Sequence, residues 1–470
     1  MVIRLNRAAL PTIAGAVTLP ATAAKVCPPG VVHLGLGAFH RAHQALVFDA
    51  LLRRGDTRWG VLGVAMRNPA LADALAAQDG LYSVHVAGAQ GIAWHIPGAL
   101  WTTAVAAREP EKIVTALAAS TTRWVTLTVT EKGYGEPLAE LLVEGLLRRH
   151  AIGLCGLTIA SCDNLTDNGR RLQALCESAA RARSASAEFF AWLNASCAFP
   201  NSMVDRIVPA ATSVHRQAAL EALGVDDAAA LGTEAFWEWV IEEHFADSAD
   251  ASTLRAVGVQ VVGRVRPYET AKLRMLNGSH SALACIGAVA GLPFIANCIG
   301  TPCVRRFIHA LMTEEVGPHL ERTDWRQYRD ALIARFDNAA LRHSVHQIAS
   351  DSSQKIPSRW VPCVEQRIAA NAPVSRLAFA AATWMRYARG EDDHGQPYAL
   401  SDPMAEQVQA LARRHAGDAD ATVSALGEIT SIWGAQLPHH RPWHEAVTNA
   451  LQRINRDGIL GALEKETDPT

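Results

Sequence analysis

Residues 269 to 284 read ETAKLRMLNGSHSALA, helix-like at both ends yet carrying Glu269, Lys272, Asn277 and His280 through the middle. At about 100° per residue these four fall within an arc of about 140° on one side of a helix, so they can face one pocket. A lysine desolvated there loses much of its preference for the charged form and suits the role of general base near neutral pH. An asparagine amide and an imidazole can bind the oxygen whose charge changes during hydride transfer. That set fits alcohol-to-ketone chemistry without a metal. The competing reading is an i,i+3 surface pair of Glu269 with Lys272, with Asn277 and Gly278 closing one helix and Ser279 opening the next. Apolar flanks, a place at a domain boundary and a dinucleotide cradle elsewhere in the chain favour the chemistry.

The cradle lies in VVHLGLGAFHRAHQALVFDALL, where an apolar strand runs into Gly35-Leu36-Gly37 and a helix follows. The first glycine permits the tight turn, the second lets backbone approach a pyrophosphate, and the helix start supplies N–H groups. The nucleotide-binding residues expected here are Gly35, Gly37, Ala38, Phe39 and His40. The usual third glycine is replaced by His40, so placement after the first convincing strand carries the assignment. His40 and His43 form an HxxH, but with no third ligand nearby a metal pair is not the preferred reading. Where an acid would hold a ribose hydroxyl, after the second strand, the chain has Met66, Arg67 and Asn68. Arg67 tolerates a 2′-phosphate, so NAD is preferred and NADP stays open. After the strand LTIA comes SCDN, at a position that lies on the carboxyl edge of a doubly wound sheet. Asn164 can reach a substrate oxygen from there, or Asp163 and Asn164 can simply build a turn.

The elements that must position these groups form two patterns. In the first half GVVHLGLGAFH, WGVLGVAM, RWVTLTVTEKGY and GLTIASCDN are strand-like and separated by helical stretches, which predicts βαβ units and a parallel sheet covered on both faces. From about Glu269 amphipathic helices take over, as in MAEQVQALARRHAG and SRLAFAAATWMRYARG. The predicted domains are 1–268 and 269–470. A chain of 470 residues is long enough for two cores. Its formal charge of −2 argues against a nucleic-acid surface. Nine cysteines without a CxxC pair fit a reduced, cytoplasmic setting. The opening MVIRLNRAALPTIAGAVTLPATAA carries Arg4 and Arg7, but Pro11, Thr12, Thr18 and Pro20 interrupt it, so a signal peptide is not expected. The apolar region Ala282 to Cys298 contains Pro293 and is too short to span a bilayer; it is read as a buried helix and its exit.

HLGLGAFHRAHQAL, LTVTEKGY, SCDN, FPNSMVDRIVP, KLRMLNGSHS and DSSQKIP together resemble the mannitol dehydrogenase family, the polyol-specific long-chain dehydrogenases. WVIEEHF, RFDNAALRH, WMRYARGEDDHG and SDPM extend the likeness almost to the C-terminus. The resemblance implies an α/β fold, with an N-terminal Rossmann-type doubly wound parallel sheet and a mainly α-helical C-terminal domain. It also implies a nicotinamide cofactor, no zinc and, since the family includes monomers, a monomer. The family pattern K-x4-N-x2-H falls on Lys272 as base, Asn277 with Asn164 polarising the reacting oxygen, and His280 orienting substrate. Glu269 matches an acid thought to pass the proton outward, Asp205 a substrate contact, and Lys355 a basic substrate contact. With Arg359, Lys355 can meet a carboxylate, which favours a sugar acid. The branch indicated interconverts D-mannonate and D-fructuronate; the alternatives are a neutral polyol such as mannitol or arabinitol, or tagaturonate. Ser352 stands where the family usually has glycine. A zinc hydrolase built on His40, His43 and His280, and a non-catalytic dinucleotide sensor, are the readings from other classes.

Overall fold

The computed structural model describes residues 3–13, 15–21, 29–88, 91–339 and 343–467. Cys27, part of the Ala-rich opening and residues 340–342 of RFDNAALRH lie outside the described residues. By its contacts the chain divides into two compact units, Met1–Arg266 and Pro267–Thr470.

In the first unit five strands, β1 Val31–Leu34, β2 Val61–Ala65, β3 Leu100–Val105, β4 Trp124–Leu127 and β5 Thr158–Ser161, form a sheet in the order β3-β2-β1-β4-β5. Every pairing is parallel, with Val31 opposite both Val61 and Trp124. Apart from Thr102 on β3 the strand residues are all buried, because helices cover both faces and leave none to water. Val32, Leu34, Val125 and Ile159 pack on one face with Leu142 and Leu146, while Val31, Val61 and Trp124 pack on the other with Phe48 and Trp59. The alternation follows from the two-residue period of a strand, and it sends His33 to the same face as Val31.

β3 is absent from the sequence reading because its Thr102 and Thr103 break the apolar run. So are three smaller sheets, two of which tie in the N-terminal stretch. Ile3–Arg4 pairs with Val225–Asp226, and Val17–Thr18 with Gly91–His95. The third, Ser202–Asp205 with Glu238–Glu242 and Gln260–Val262, carries the VDRI motif.

The second unit is helical. Every residue of the helix Gly278–Val289 is buried, as expected of an apolar-all-round helix at the centre of a bundle. Gly287 permits close packing there: a Cβ on it would stand 2.4 Å from Cys298 Sγ and 2.7 Å from Val345 Cγ1. The helix ends before Gly291, and Pro293 leads to the next helix, Ile295–Gly300. The described cysteines are all free, and no helix among the described residues is long and apolar enough to cross a membrane.

Candidate active site

In the first unit the carboxyl ends of β1, β2, β3 and β4 border an open cleft of about 950 Å³. Gly35, Met66, Arg67, Ala106, Thr128 and Lys132 are among its lining residues. The strand order reverses between β1 and β4, which is where open α/β sheets bind ligands. Gly35 has φ +99°, and a Cβ there would lie 2.2 Å from the Thr128 carbonyl oxygen. Only glycine fits this turn. Gly37 differs: its φ is −131°, and a Cβ would meet nothing nearer than Gly35 O at 3.6 Å. Space at Gly37 and none at Gly35 match the division of labour expected for a pyrophosphate cradle.

The helix that follows Gly37 is short, Ala38–Ala42, and breaks at His43 before Gln44–Arg53 resumes. FHRAHQ mostly holds this element in place. Tyr82 Oη donates to Arg41 O at 2.9 Å, Arg206 Nη1 to Ala42 O at 2.5 Å, and His43 Nε2 bonds Glu238 O at 3.0 Å. His40, expected among the nucleotide contacts, is fully buried and stacked on His33 at 3.4 Å between ring centroids, and it is not among the residues lining the cleft. Phe39 stacks on His43. After β2, Arg67 is exposed to the cleft, and Asn68 accepts a hydrogen bond from Ala70 N at 3.0 Å. No acid stands there.

At the end of β5, Asp163 accepts hydrogen bonds from Thr130 N at 2.7 Å and Val129 N at 3.2 Å, pinning the loop after β4. Asn164 is exposed beside it. Asp205 is buried at the end of its strand, whereas Arg206 donates to the carbonyls of Glu234 and Ala42.

In the second unit the segment from Glu269 to His280 is continuous helix, but not all α. Arg266–Ala271 is α-helical, Lys272–Asn277 is π-helical, and Gly278–Val289 is α-helical again. Gly278 N–H bonds Leu273 O, five residues back. The break at Asn277-Gly278 required by the competing surface-pair reading does not occur. The widened turn also corrects the angular argument. Five residues of α-helix would set Lys272 and Asn277 about 140° apart, whereas i→i+5 bonding places residue i+5 about one turn beyond residue i. Lys272 and Asn277, both half-buried, therefore stand closer in angle than an α-helix would set them.

The π turn is braced by its neighbours. Arg359 Nη1 donates to Asn277 O at 3.2 Å and to Ser281 Oγ at 2.7 Å, and Trp360 Nε1 donates to Gly278 O at 3.0 Å. Lys355 Nζ donates to Ser350 O and, at 3.3 Å, to Ile348 O. Burial, and then the Arg359 charge, lower the Lys355 pKa. Ser352 takes a helical place without strain, since the left-handed residue is Asp351 at φ +53°; its Oγ accepts from Trp384 Nε1 at 2.8 Å. His280 is buried between Phe336 and His343, and its Nε2 has no hydrogen-bond partner among the described residues. Burial first, then the charges of His343, Arg359, Arg335 and Lys355, hold its pKa well below the usual histidine value. It is thus a neutral imidazole with one buried nitrogen left unpaired among the described residues. Among the described residues no group of three His, Cys, Asp or Glu side chains is placed to hold a metal ion.

The profile for the mannitol dehydrogenase Rossmann domain matches residues 29–251, and that for the mannitol dehydrogenase C-terminal domain matches 264–455. The chain belongs to the mannitol dehydrogenase family. It is 36% identical over 472 residues to mannitol 2-dehydrogenase of Aspergillus fumigatus, covering 93% of this chain and 92% of that protein. Among solved structures, Pseudomonas fluorescens mannitol 2-dehydrogenase, in a ternary complex with NAD and D-mannitol, is 30% identical with a TM-score of 0.80 and 99% of both chains covered. A substrate-free D-sorbitol dehydrogenase is 28% identical with a TM-score of 0.88, covering 98% of this chain and all of that one at 100%.

In this mannitol dehydrogenase family member, sequence reasoning missed Thr128, Val129 and Lys132, which line the cleft from the end of β4. Their signal was present: LTVTEKGY follows a strand that pairs directly with β1. The neutral histidines of the family fold carry a stability consequence. Burial pushes His33 down to about 3 and holds His40 and His280 well below their usual value. An unfolded chain protonates all three near pH 6.5 and the folded chain does not, so stability is full above that pH and falls as pH drops below it. Each site contributes up to about 1.4 kcal/mol per pH unit to that slope. Urea midpoints at pH 7.5 and 5.0 should differ accordingly; equal midpoints would contradict the neutral assignment.

Proposed function

We propose that the protein is a nicotinamide-dependent dehydrogenase that interconverts a neutral open-chain polyol and its 2-ketose, with NAD as the preferred cofactor and Arg67 leaving NADP accessible. The observation that carries this reading is near full-length likeness to mannitol 2-dehydrogenases, one of them solved with NAD and D-mannitol. The open glycine turn at the β1/β4 crevice fits a dinucleotide, and the Lys272–Asn277 π turn fits a base beside an amide. Bound in the cleft, the nicotinamide would supply the hydride acceptor. Lys272 Nζ takes the hydroxyl proton during oxidation and returns it during reduction, with Glu269 relaying it outward. Asn277 and Asn164 donate to the oxygen as its charge changes. The neutral His280 offers Nε2 to a substrate hydroxyl, and Asp205 accepts another.

A second reading, a 2-keto sugar acid such as D-fructuronate reduced to D-mannonate, is favoured by one observation. Lys355 and Arg359, both felt at His280, donate their hydrogen bonds to neutral oxygens, and the carboxylates of Asp351 and Asp402 act on Lys355 through charge alone. NADH oxidation with D-fructose, D-fructuronate and D-tagaturonate in parallel decides between them. Fastest turnover of fructose supports the polyol reading, and preference for fructuronate overturns it. Under the acid reading, Lys355→Met should raise KM for fructuronate at least about tenfold more than KM for fructose, a difference of about 1.4 kcal/mol. Equal effects on both would remove the carboxylate role of Lys355.

A further inference from the structure

His33 is an imidazole on a buried strand with no part in the proposed chemistry, yet its contacts lead to the cleft. Nδ1 lies 2.9 Å from Thr126 Oγ1, and Nε2 lies 3.0 Å from Thr128 Oγ1 and 3.3 Å from Gly35 O. Thr128 Oγ1 in turn donates to Gly35 O at 2.9 Å. One proton arrangement satisfies every group. The Thr126 hydroxyl donates to Nδ1, the Nε2–H donates to Thr128 Oγ1, and the Thr128 hydroxyl donates to the Gly35 carbonyl. On its ring face His33 is stacked on His40 at an interplanar angle of 13°. The chain thus joins the end of β4 to the glycine turn after β1, across the crevice where the strand order reverses, and both Thr128 and Gly35 line the cleft.

We propose that His33, acting through Thr128, is a positioning residue for the dinucleotide: the Thr126–His33–Thr128–Gly35 chain holds the glycine turn at the width the cofactor needs. The inference rests on the nicotinamide reading above. Gly35 at φ +99° has conformational freedom that no side chain of its own restrains; the Gly35 and Leu36 N–H groups both donate to Val64 O at 2.9 Å, so one acceptor holds the N–H edge of both peptides. The hydroxyl of Thr128 fixes the carbonyl side. Without it the turn keeps its fold but samples orientations in which the N–H groups at the start of the following helix miss the ligand, and binding weakens by that fraction.

The test is NADH binding, measured by calorimetry on the full chain, for wild type, Thr128→Val, Thr128→Ser, His33→Leu and the double variant His33→Leu/Thr128→Val, with melting temperatures recorded alongside. Thr128→Val preserves shape and removes only the hydroxyl. It should raise Kd about tenfold, the weight of one buried hydrogen bond. Thr128→Ser should stay near wild type. His33→Leu should weaken binding, and the double variant should be no weaker than Thr128→Val alone, because both changes break one chain. Thr128→Val binding like wild type, or a double variant whose Kd rises by the product of the two single effects, overturns the proposal. So does a lowered melting temperature with Kd unchanged, which would make the network structural only. A wild type that binds neither NADH nor NADPH would instead overturn the cofactor reading, and the inference with it.

Discussion

Lys272→Met should lower kcat in both directions by about 10³, within the span general acid–base catalysis ordinarily supplies. Methionine keeps the length and apolar stem of lysine while removing the amine, so the π turn over Lys272–Asn277 and the buried helix after it should persist. The pH dependence separates loss of a base from loss of shape. Under the proposed mechanism oxidation requires the neutral amine and reduction the ammonium, so wild-type oxidation should rise with pH while reduction falls. The residual activity of Lys272→Met should lose that opposition. NADH titration controls for the nucleotide site, whose contacts belong to the first unit. A variant retaining more than a tenth of wild-type kcat, or keeping opposite pH slopes, would exclude Lys272 as the base.

The second large effect concerns two glycines two residues apart. Gly35→Ala forces a side chain into the left-handed region and drives its Cβ to 2.2 Å from the Thr128 carbonyl, an immovable backbone atom. Strain of this kind costs about 1–3 kcal/mol. The turn must shift, so NADH affinity should fall by more than about tenfold while the melting temperature drops. Gly37→Ala meets no protein atom closer than 3.6 Å and needs no unusual φ. It should leave the melting temperature unchanged and reduce NADH affinity alone, because only a ligand contests the space. Equal melting temperatures for wild type and Gly35→Ala would contradict the turn geometry. Unaltered affinity in Gly37→Ala would move the pyrophosphate away from this turn.

These contrasts mark how far residues can be read without coordinates. The four strands named from sequence are those whose β-branched runs are buried on both faces, and the glycine turn was legible because a tight turn and a close approach require that residue type. β3 and the small mixed sheets were not legible. Their threonines and short lengths resemble loops until a neighbouring strand supplies the hydrogen bonds. His40 shows the same limit. Its place after Gly37 suggested a ligand contact, but which side of a short helix is covered depends on Tyr82, Arg206 and Glu238, residues 42 to 198 positions further along, and on stacking with His33.

What the sequence by itself determined is the class of chemistry and the candidates to carry it: a dinucleotide turn, and a Lys-Asn-His set on one helical segment in a second, helical unit. Those follow from residue type and spacing, which are local. Only the tertiary structure decided how that set is aligned. Nothing in KLRMLNGS distinguishes a π turn from an α turn, because the wider turn persists through bonds from outside it, from Arg359 to Asn277 and from Trp360 to Gly278. Likewise the neutrality of His280 and the engagement of Arg359 with the Asn277 carbonyl come from burial and from partners remote in sequence. A group's charge state and partners are set by what surrounds it in space, and that is established only when the helices pack.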